Sequence, residues 1–457
     1  MSKRNFILLI IIIVITLTSV FGYFYLNSTT NTPEEDSVGT NFISQFNPFG
    51  NNSTNTPNTA NPPSETPEYQ PNPTEIVNLK LKKVSSMPIA GFTVFSKERL
   101  KEINPTPTLP LSGEGVVPPA KGDTGGLKTT KPTPPQTEFM PALRYVERAT
   151  GNIYQTFVDK IEEKKFSATI IPKIYEAFFG NKGNSVIMRY LKGDGKTIIT
   201  FVGTLPKEFL GADATESNEI KGTFLPENIK DLSLSSDSNS IFYLFLNGNN
   251  LGNGIIGTTF NLSKNKKVQV FDSPFSEWLS FFPNSKMITL TTKPSSGIPG
   301  YMYAMDPNNK NYNFHKILGD INGLTTLTSP NGKLVLYSNN NLTLNIFHTD
   351  TKVSDTLGVK TLAEKCIWNK TNDVVYCGVP KSITNGQYPD SWYQGEVSFR
   401  DQIWKIDIKT GNTTLVADPA TLGGEDVDSI KLALDDKEDY LFFVNKKDSF
   451  LWELALK

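Results

Sequence analysis

The chain has 457 residues, a formal net charge of −1 at neutral pH, two histidines and two cysteines. This charge balance excludes a strongly basic nucleic-acid binder, because such domains carry a marked excess of lysine and arginine. Two histidines are too few for most histidine-based chemistry. The frequent aromatic residues, glycines and prolines are typical of a body of many short strands and turns.

The N-terminus predicts a membrane anchor. Lys3 and Arg4 precede residues 6–26, a stretch without a charged residue. At about 1.5 Å per residue, a helix of this length spans the roughly 30 Å hydrocarbon core of a membrane. Residues 27–75 contain no lysine or arginine, so the positive-inside rule places the N-terminus in the cytoplasm and the rest outside the cell membrane. A cleaved secretory peptide is the alternative.

Composition divides the rest of the chain into a tether and a folded domain. Residues 27–75 are dominated by asparagine, threonine, serine and proline, which predicts a disordered linker after the anchor of residues 1–26. Residues 76–457 carry enough apolar residues to fold. Within them, residues 101–138 are again rich in proline, which predicts a disordered insertion in the folded body.

The folded part repeats a turn of polar residues that feeds a hydrophobic strand. Six copies start about 40 to 66 residues apart, and they are GNKGNSVIM from Gly180, SSDSNSIFY from Ser235, FPNSKMITL from Phe282, SPNGKLVLY from Ser329, NKTNDVVYC from Asn369 and DDKEDYLFF from Asp435. A period of about 40 to 50 residues with several strands in each period indicates the blades of a β-propeller. The predicted fold class is therefore all-β.

The two ends of the repeat array predict how the ring closes. Residues 77–85 resemble the last strand of a blade but have no blade before them, whereas residues 430–457 provide three strands and then stop. We therefore expect the N-terminal strand to complete the C-terminal blade, which removes free sheet edges. This closure predicts seven blades, with six or eight as alternatives. The first blade would begin with a strand at residues 87–95.

The turns from Ser235 and Ser329 resemble the SPDGKxIAF turn of WD40-like and TolB-type propellers. The anchor, the linker and the segment CIWNKTNDVVYCGVP at residues 366–380 are similar to uncharacterised, membrane-anchored propeller proteins of Parcubacteria-type bacteria with reduced genomes. The resemblance implies a propeller outside the cytoplasm. It implies no catalytic residues.

Cys366 and Cys377 flank the turn of residues 369–373 symmetrically. A tight hairpin would place them opposite each other, where Cβ atoms lie about 4.5 to 5.5 Å apart, near the separation that a disulfide needs. Because export favours oxidation, we expect a structural disulfide. Two buried thiols, or a redox or metal role, are the alternatives.

The enlarged connection in the sixth repeat is the candidate interaction loop. Tyr388, Trp392 and Tyr393 lie within residues 388–395 of this connection. Loops often carry function, and tryptophan and tyrosine are favoured interface anchors, so we expect Trp392 to be the main anchor if the loop binds a macromolecule. The alternative is that these rings pack over the end of the propeller.

Other candidate sites have simpler structural interpretations. Residues 235–242 match the sialidase Asp box only in part, which favours a plain turn. His315 and His348 have no paired histidine, and residues 306–309 resemble a calcium loop only in composition, so neither predicts a metal site.

These observations predict a non-enzymatic binding or scaffold module without a cofactor. Its partners would be the membrane, through residues 6–26, and an unidentified protein or glycan, but no nucleic acid. An exported carbohydrate-active enzyme that uses the mouth of the propeller channel is the alternative. It would need two carboxylates that flank a glycosidic bond, and no such pair is recognisable in the sequence.

Overall fold

The computed structural model describes residues 80–101, 136–167, 170–208, 219–246, 254–309 and 314–457. The predicted anchor and tether, residues 1–26 and 27–75, lie outside these residues, as does most of the predicted insertion. Within the described ranges, none of the helices has the length and apolar character needed to cross a membrane.

The described residues form seven four-stranded antiparallel sheets. The strands of blades one to three are β2 (Ile89–Leu100), β3 (Thr137–Glu147), β4 (Ile153–Phe157) and β5 (Lys164–Lys165); β6 (Ile174–Gly180), β7 (Ser185–Leu191), β8 (Ile198–Thr204) and β9 (Lys221–Phe224); and β10 (Asp231–Leu234), β11 (Ser240–Leu246), β12 (Ile255–Asn261) and β13 (Lys266–Ser273).

The strands of blades four to six are β14 (Trp278–Asn284), β15 (Met287–Thr292), β16 (Pro299–Met305) and β17 (His315–Asn322); β18 (Thr325–Thr328), β19 (Leu334–Ser338), β20 (Thr343–His348) and β21 (Ser354–Lys360); and β22 (Cys366–Trp368), β23 (Val374–Pro380), β24 (Asp401–Asp407) and β25 (Thr413–Ala417). Blade seven consists of β26 (Ser429–Leu434), β27 (Tyr440–Asn445), β28 (Leu451–Ala455) and the N-terminal strand β1 (Leu81–Lys83). Two short helices, α1 (Asp390–Tyr393) and α2 (Pro419–Gly423), and a 3₁₀ turn at Ala363–Lys365 lie in connections.

The first strand of each blade lies next to the axis of the ring, because first strands of neighbouring blades contact each other, as β2 does with β6 and β10 with β14. We call the end of the ring where each blade passes to the next the upper face. The connections between the second and third strands of each blade also lie there. The remaining turns lie on the lower face.

The N-terminal strand closes the ring, and the seven-bladed fold is confirmed. Strand β1 pairs with β28, with Leu81 opposite Leu454 and Lys83 opposite Trp452. The strand is shorter than the predicted residues 77–85, because after Lys83 the N–H groups of Val84 and Ser85 both donate to the Leu451 carbonyl as the chain leaves the sheet. Residues 77–79 lie outside the described residues.

A side chain at the start of the repeated turn explains its polar sequence. In four blades this side chain accepts a hydrogen bond from the backbone N–H five residues later, at 2.7–3.1 Å; the pairs are Ser235 with Ser240, Ser329 with Leu334, Asn369 with Val374 and Asp435 with Tyr440. Serine, asparagine and aspartate are favoured here because their short side chains reach nearby backbone groups. The degenerate Asp box from Ser235 is one of these turns.

The predicted insertion begins and ends on one hairpin. Strands β2 and β3 pair as far as Leu100 and Thr137, and the Lys101 N–H donates to the Gln136 carbonyl at 2.9 Å. The described part of the β2–β3 hairpin therefore ends at the lower face, at Lys101 and Gln136. Residues 102–135 lie outside the described residues.

The disulfide prediction is confirmed. Cys366 on β22 is paired in register with Cys377 on β23, and a disulfide joins them with the two Cα atoms 4.1 Å apart. The bond fixes the two inner strands of blade six.

The closing sheet contains a buried carboxylate. Glu453 on β28 is 1% exposed and lies opposite Lys82 of β1. The Lys82 ammonium is 3.9 Å from Glu453 Oε1, and Oε2 has no hydrogen-bond partner among the described residues. Burial raises the pKa of Glu453 from 4.5 to about 7, although Lys82 opposes the shift.

This carboxylate predicts a pH dependence of stability. Between pH 4.5 and about 7 the folded chain keeps a proton that the unfolded chain releases, so the free energy of unfolding should fall as pH rises through this window. At 1.36 kcal/mol per pKa unit the loss amounts to about 3 kcal/mol. We expect Glu453→Gln to lack this decline in urea unfolding from pH 5 to 8. If the free energy of unfolding fell equally with pH in both proteins, this prediction would be wrong.

Candidate functional site on the upper face

The connection between β23 and β24, residues 381–400, crosses the upper face, and we call it the cap. The Ser296 N–H in blade four donates to Asp390 Oδ2 at 2.6 Å. Lys446 in blade seven donates from Nζ to the Trp392 carbonyl at 2.8 Å and lies over the Trp392 ring at 4.6 Å. A connection of blade six is therefore held by blades on both sides of it.

Aromatic side chains form the core of the cap. Tyr388, Trp392 and Phe399 pack with Leu342 and Leu362, which belong to the neighbouring upper-face connections. The Trp392 and Phe399 rings are stacked with centroids 6.3 Å apart. The cap therefore has a small hydrophobic core of its own, and this core fixes its position above the blades.

An ion cluster lies beneath this core. Lys365 immediately precedes the inner strand of blade six, and its Nζ donates to Asp401 Oδ2 at 2.8 Å, to Asp428 Oδ1 and to the Ser429 carbonyl at 3.1 Å. The side chains of Lys365, Asp401 and Asp428 are 0% exposed. We call these three residues the upper-face ion cluster. It joins blade six to blade seven.

Asp428 also connects the ion cluster to the cap. Its Oδ2 accepts hydrogen bonds from Trp392 Nε1 at 2.9 Å, Ser398 Oγ at 3.0 Å and the Phe399 N–H at 2.9 Å. Burial opposes ionisation of this carboxyl, but Lys365 and these donors together hold its pKa below its usual value. Asp428 is therefore the charged acceptor that orients Trp392.

Asp401 completes the cluster on the side of blade six. Its Oδ2 accepts from the Ser429 N–H and hydroxyl at 2.7 and 2.8 Å, whereas Oδ1 has no hydrogen-bond partner among the described residues. Burial raises the pKa of Asp401 against the opposing charge of Lys365. Gly378 leaves room for this arrangement, because a Cβ atom there would lie 1.9 Å from Ser429 Oγ.

A second pair lies beside the mouth of the axial channel. The Tyr393 hydroxyl donates to Glu364 Oε1, and the 3₁₀ turn that carries Glu364 contacts the inner strands β18 and β26. Both side chains have access to solvent, but the surrounding protein desolvates them. Desolvation raises the pKa of Glu364 despite the Tyr393 hydrogen bond, and it raises the pKa of Tyr393 well above its usual value, with Glu364 adding to the effect.

The three predicted loop residues have different environments. Tyr388 and Trp392 are each 4% exposed, as the packing alternative predicts, whereas Tyr393 is 40% exposed. The Trp392 ring therefore offers almost no surface to a partner in this conformation. Contact between the loop and a macromolecule stays a prediction.

Sequence reasoning missed Glu364 and the three residues of the upper-face ion cluster. One sequence pattern could have pointed to these residues: a charged residue stands directly before or at the start of an apolar strand. The segments AEKCIW from Ala363 and VDSIKL from Val427 show this pattern. This signal is weak, because the same pattern occurs at exposed strand ends.

Two of the remaining sequence candidates contact polar groups close to them in the chain. His348 Nε2 lies 3.4 Å from Asp355 Oδ2 at the surface, and Asp306 Oδ1 accepts the Asn308 N–H at 2.9 Å in a turn. Among the described residues, no group of three or more histidine, cysteine, aspartate or glutamate side chains could hold a metal ion.

Comparisons with known proteins give structural neighbours only. No protein-family model and no curated protein matches the chain. An oligogalacturonate lyase in complex with manganese superposes with a TM-score of 0.44 at 8% identity and covers 69% of this chain and 85% of its own. Oligogalacturonate lyase from Vibrio parahaemolyticus has a TM-score of 0.44 at 8% identity, with coverage of 70% and 94%.

Proposed function

We propose that the chain is a membrane-anchored binding module, exposed outside the cytoplasm, whose capped upper face engages a protein or glycan. The observation that carries this proposal is the cap itself. A long connection held by blades four and seven, with its own aromatic core, is a rigid surface. Rigid loops bind at a lower entropic cost than loops that must become ordered.

The anchor and the export are proposed on sequence grounds. Residues 6–26 are uncharged and follow Lys3 and Arg4. Within the propeller, Lys80 lies at the lower face, because its carbonyl accepts the Ala455 N–H at 2.8 Å at the end of β28. Strand β1 thus begins at the face opposite the cap.

The carboxylates near the cap support binding more than hydrolysis. Asp401 and Asp428 are sealed from solvent and bonded to Lys365, so neither can reach a substrate in this conformation. An exported carbohydrate-active enzyme is a second candidate because of one observation, the accessible Glu364 with a raised pKa, which is a property of general acids. Glycan cleavage that Glu364→Gln abolishes would favour this candidate.

One experiment tests both the location and the face. Intact cells, stripped of any outer barrier, are treated with a membrane-impermeant cross-linker, and the tagged full chain is then recovered. We expect the native chain to be cross-linked to a partner. The double variant Tyr393→Ala, Gln394→Arg should reduce the cross-linked product roughly tenfold, because it alters the exposed part of the cap. Lys437→Glu, a substitution in an exposed lower-face turn, should not reduce it.

Three results would contradict the proposal. No reaction with the impermeant reagent would refute export. Equal cross-linking of the native chain and the cap variant would refute the upper face as the binding surface, and loss of cross-linking in Lys437→Glu alone would assign the contact to the lower face. Melting temperatures of the variants distinguish a lost contact from a lost fold.

A further inference from the structure

Lys431 has an unusual backbone conformation. It lies on β26, the inner strand of blade seven, where the pairing with β27 shifts register between Ile430 and Ala433. Its φ is +53°, in the left-handed region that lysine rarely adopts. A bulge of this kind redirects a side chain.

The Lys431 side chain extends from blade seven along the channel side of blade one. Its Nζ donates to the Ala90 carbonyl of blade one at 2.9 Å and lies 5.9 Å from the centroid of the Phe178 ring of blade two. Blade one separates blade seven from blade two around the ring. A side chain from blade seven can therefore approach blade two only through the channel, where Lys431 is accessible to solvent.

The ammonium of Lys431 has no carboxylate within ion-pair distance among the described residues. Within the part of the chain that the structure describes, its hydrogen-bond acceptor is the Ala90 carbonyl, which leaves two N–H groups. Burial lowers the pKa of Lys431, and the nearby Arg148 and Arg189 lower it further while Glu176 opposes them. The surrounding protein desolvates this ammonium in part, although its side chain has access to water in the channel, and a bound anion would offset the desolvation.

The two carboxylates near Lys431 and Arg189 bind groups other than Lys431. Glu176 accepts a hydrogen bond from Arg189 Nη1 at 2.5 Å, so its charge is already paired. Asp231, the next carboxylate near Arg189, accepts from the Ser280 N–H and hydroxyl at 2.7 and 2.5 Å. Arg189 is buried, and its Nε lacks a hydrogen-bond partner in the described part of the chain.

We propose that the axial channel beside Lys431 is a binding site for a small oxyanion, the carboxylate or phosphate group of a soluble ligand. Lys431 donates to the oxyanion with its two remaining N–H groups, and Arg148 adds to the positive field, whereas Glu176 offsets the charge of Arg189. The Phe178 ring forms the apolar wall. This site is separate from the cap and does not depend on the function proposed for it.

Amine acetylation of the unmodified full chain tests the site without any substitution. The protein is acetylated in sodium phosphate, in sodium citrate and in sodium chloride of the same ionic strength, and the rate at each lysine is read by peptide mapping. At an anion concentration ten times the Kd, the rate at Lys431 should fall about tenfold relative to chloride. The rate at Lys447, an exposed lysine in the next upper-face turn, should stay the same.

A variant provides the second measurement. Phosphate or citrate should raise the melting temperature of the native chain and of Lys447→Met above its value in chloride by more than that of Lys431→Met, because the general effect of an excluded salt acts on all three proteins alike. Protection by citrate alone indicates a carboxylate ligand, and protection by phosphate alone indicates a phosphate ligand. Acetylation of Lys431 at the same rate in all three salts would overturn the proposal. So would a rise of the melting temperature in Lys431→Met equal to that in the native chain.

Discussion

Replacing Lys365 by methionine is expected to lower the free energy of unfolding by about 3–5 kcal/mol. The substitution removes the ammonium that bonds to Asp401 and Asp428 and leaves both carboxylates buried without a counter-ion. The deficit should shrink as pH falls, because protonation of the two carboxylates then removes the uncompensated charge. Urea unfolding of both proteins at pH 5 and pH 8 measures the effect.

Lys381→Met is the matched control for this prediction. Lys381 pairs with Asp418 at 3.1 Å in the same blade, but its side chain is 48% exposed. An exposed pair contributes about 1 kcal/mol or less, so this variant should unfold close to the native protein. If both methionine variants lost the same stability, the buried cluster would not hold blades six and seven together.

Deleting residues 77–85 is expected to cost about 5 kcal/mol or more, which approaches the whole stability of many domains. The deletion removes Leu81 and Val84, which are buried, and each such side chain contributes about 1.5–3 kcal/mol. It also leaves β28 with an unpaired edge. Thermal unfolding of the deleted chain should show a large fall in melting temperature, or no cooperative transition.

The control for this prediction of ring closure is a variant in which a short turn between Lys101 and Gln136 replaces residues 102–135. These two residues already share a backbone hydrogen bond of 2.9 Å, so the hairpin can close without the insertion. This variant should keep its melting temperature within a few degrees. Equal losses in the two deletions would mean that the N-terminal strand does not stabilise the ring. Leu81→Ala alone should have an intermediate effect.

The blades, their closure and the disulfide could be predicted from the sequence because the interactions that specify them are local or repeat along the chain. The turn side chain that bonds to the N–H five residues later is visible as a recurring serine, asparagine or aspartate. The two cysteines lie symmetrically about one such turn, so a hairpin alone brings them together. The closing strand was recognisable because one blade lacked a fourth strand.

The upper-face site could be predicted only in part. The unusual length of the blade-six connection identified the cap, but not which of its rings would be buried. Trp392 is covered because Asp428 and Lys446 of blade seven bind it from below and from the side. Those partners follow it in the chain by 36 and 54 positions. No local pattern connects them.

The sequence by itself therefore determined the architecture, whereas the tertiary structure decided the chemistry of the upper face and the channel. Lys365, Asp401 and Asp428 belong to separate strands or connections that carry no shared motif, and only the packing of blade six on blade seven makes them one cluster. Lys431 likewise reaches the channel through a bulge between two strands. The physical reason is that burial and charge pairing depend on neighbours that are distant in the chain, while turns and strand periods depend on neighbours that are near.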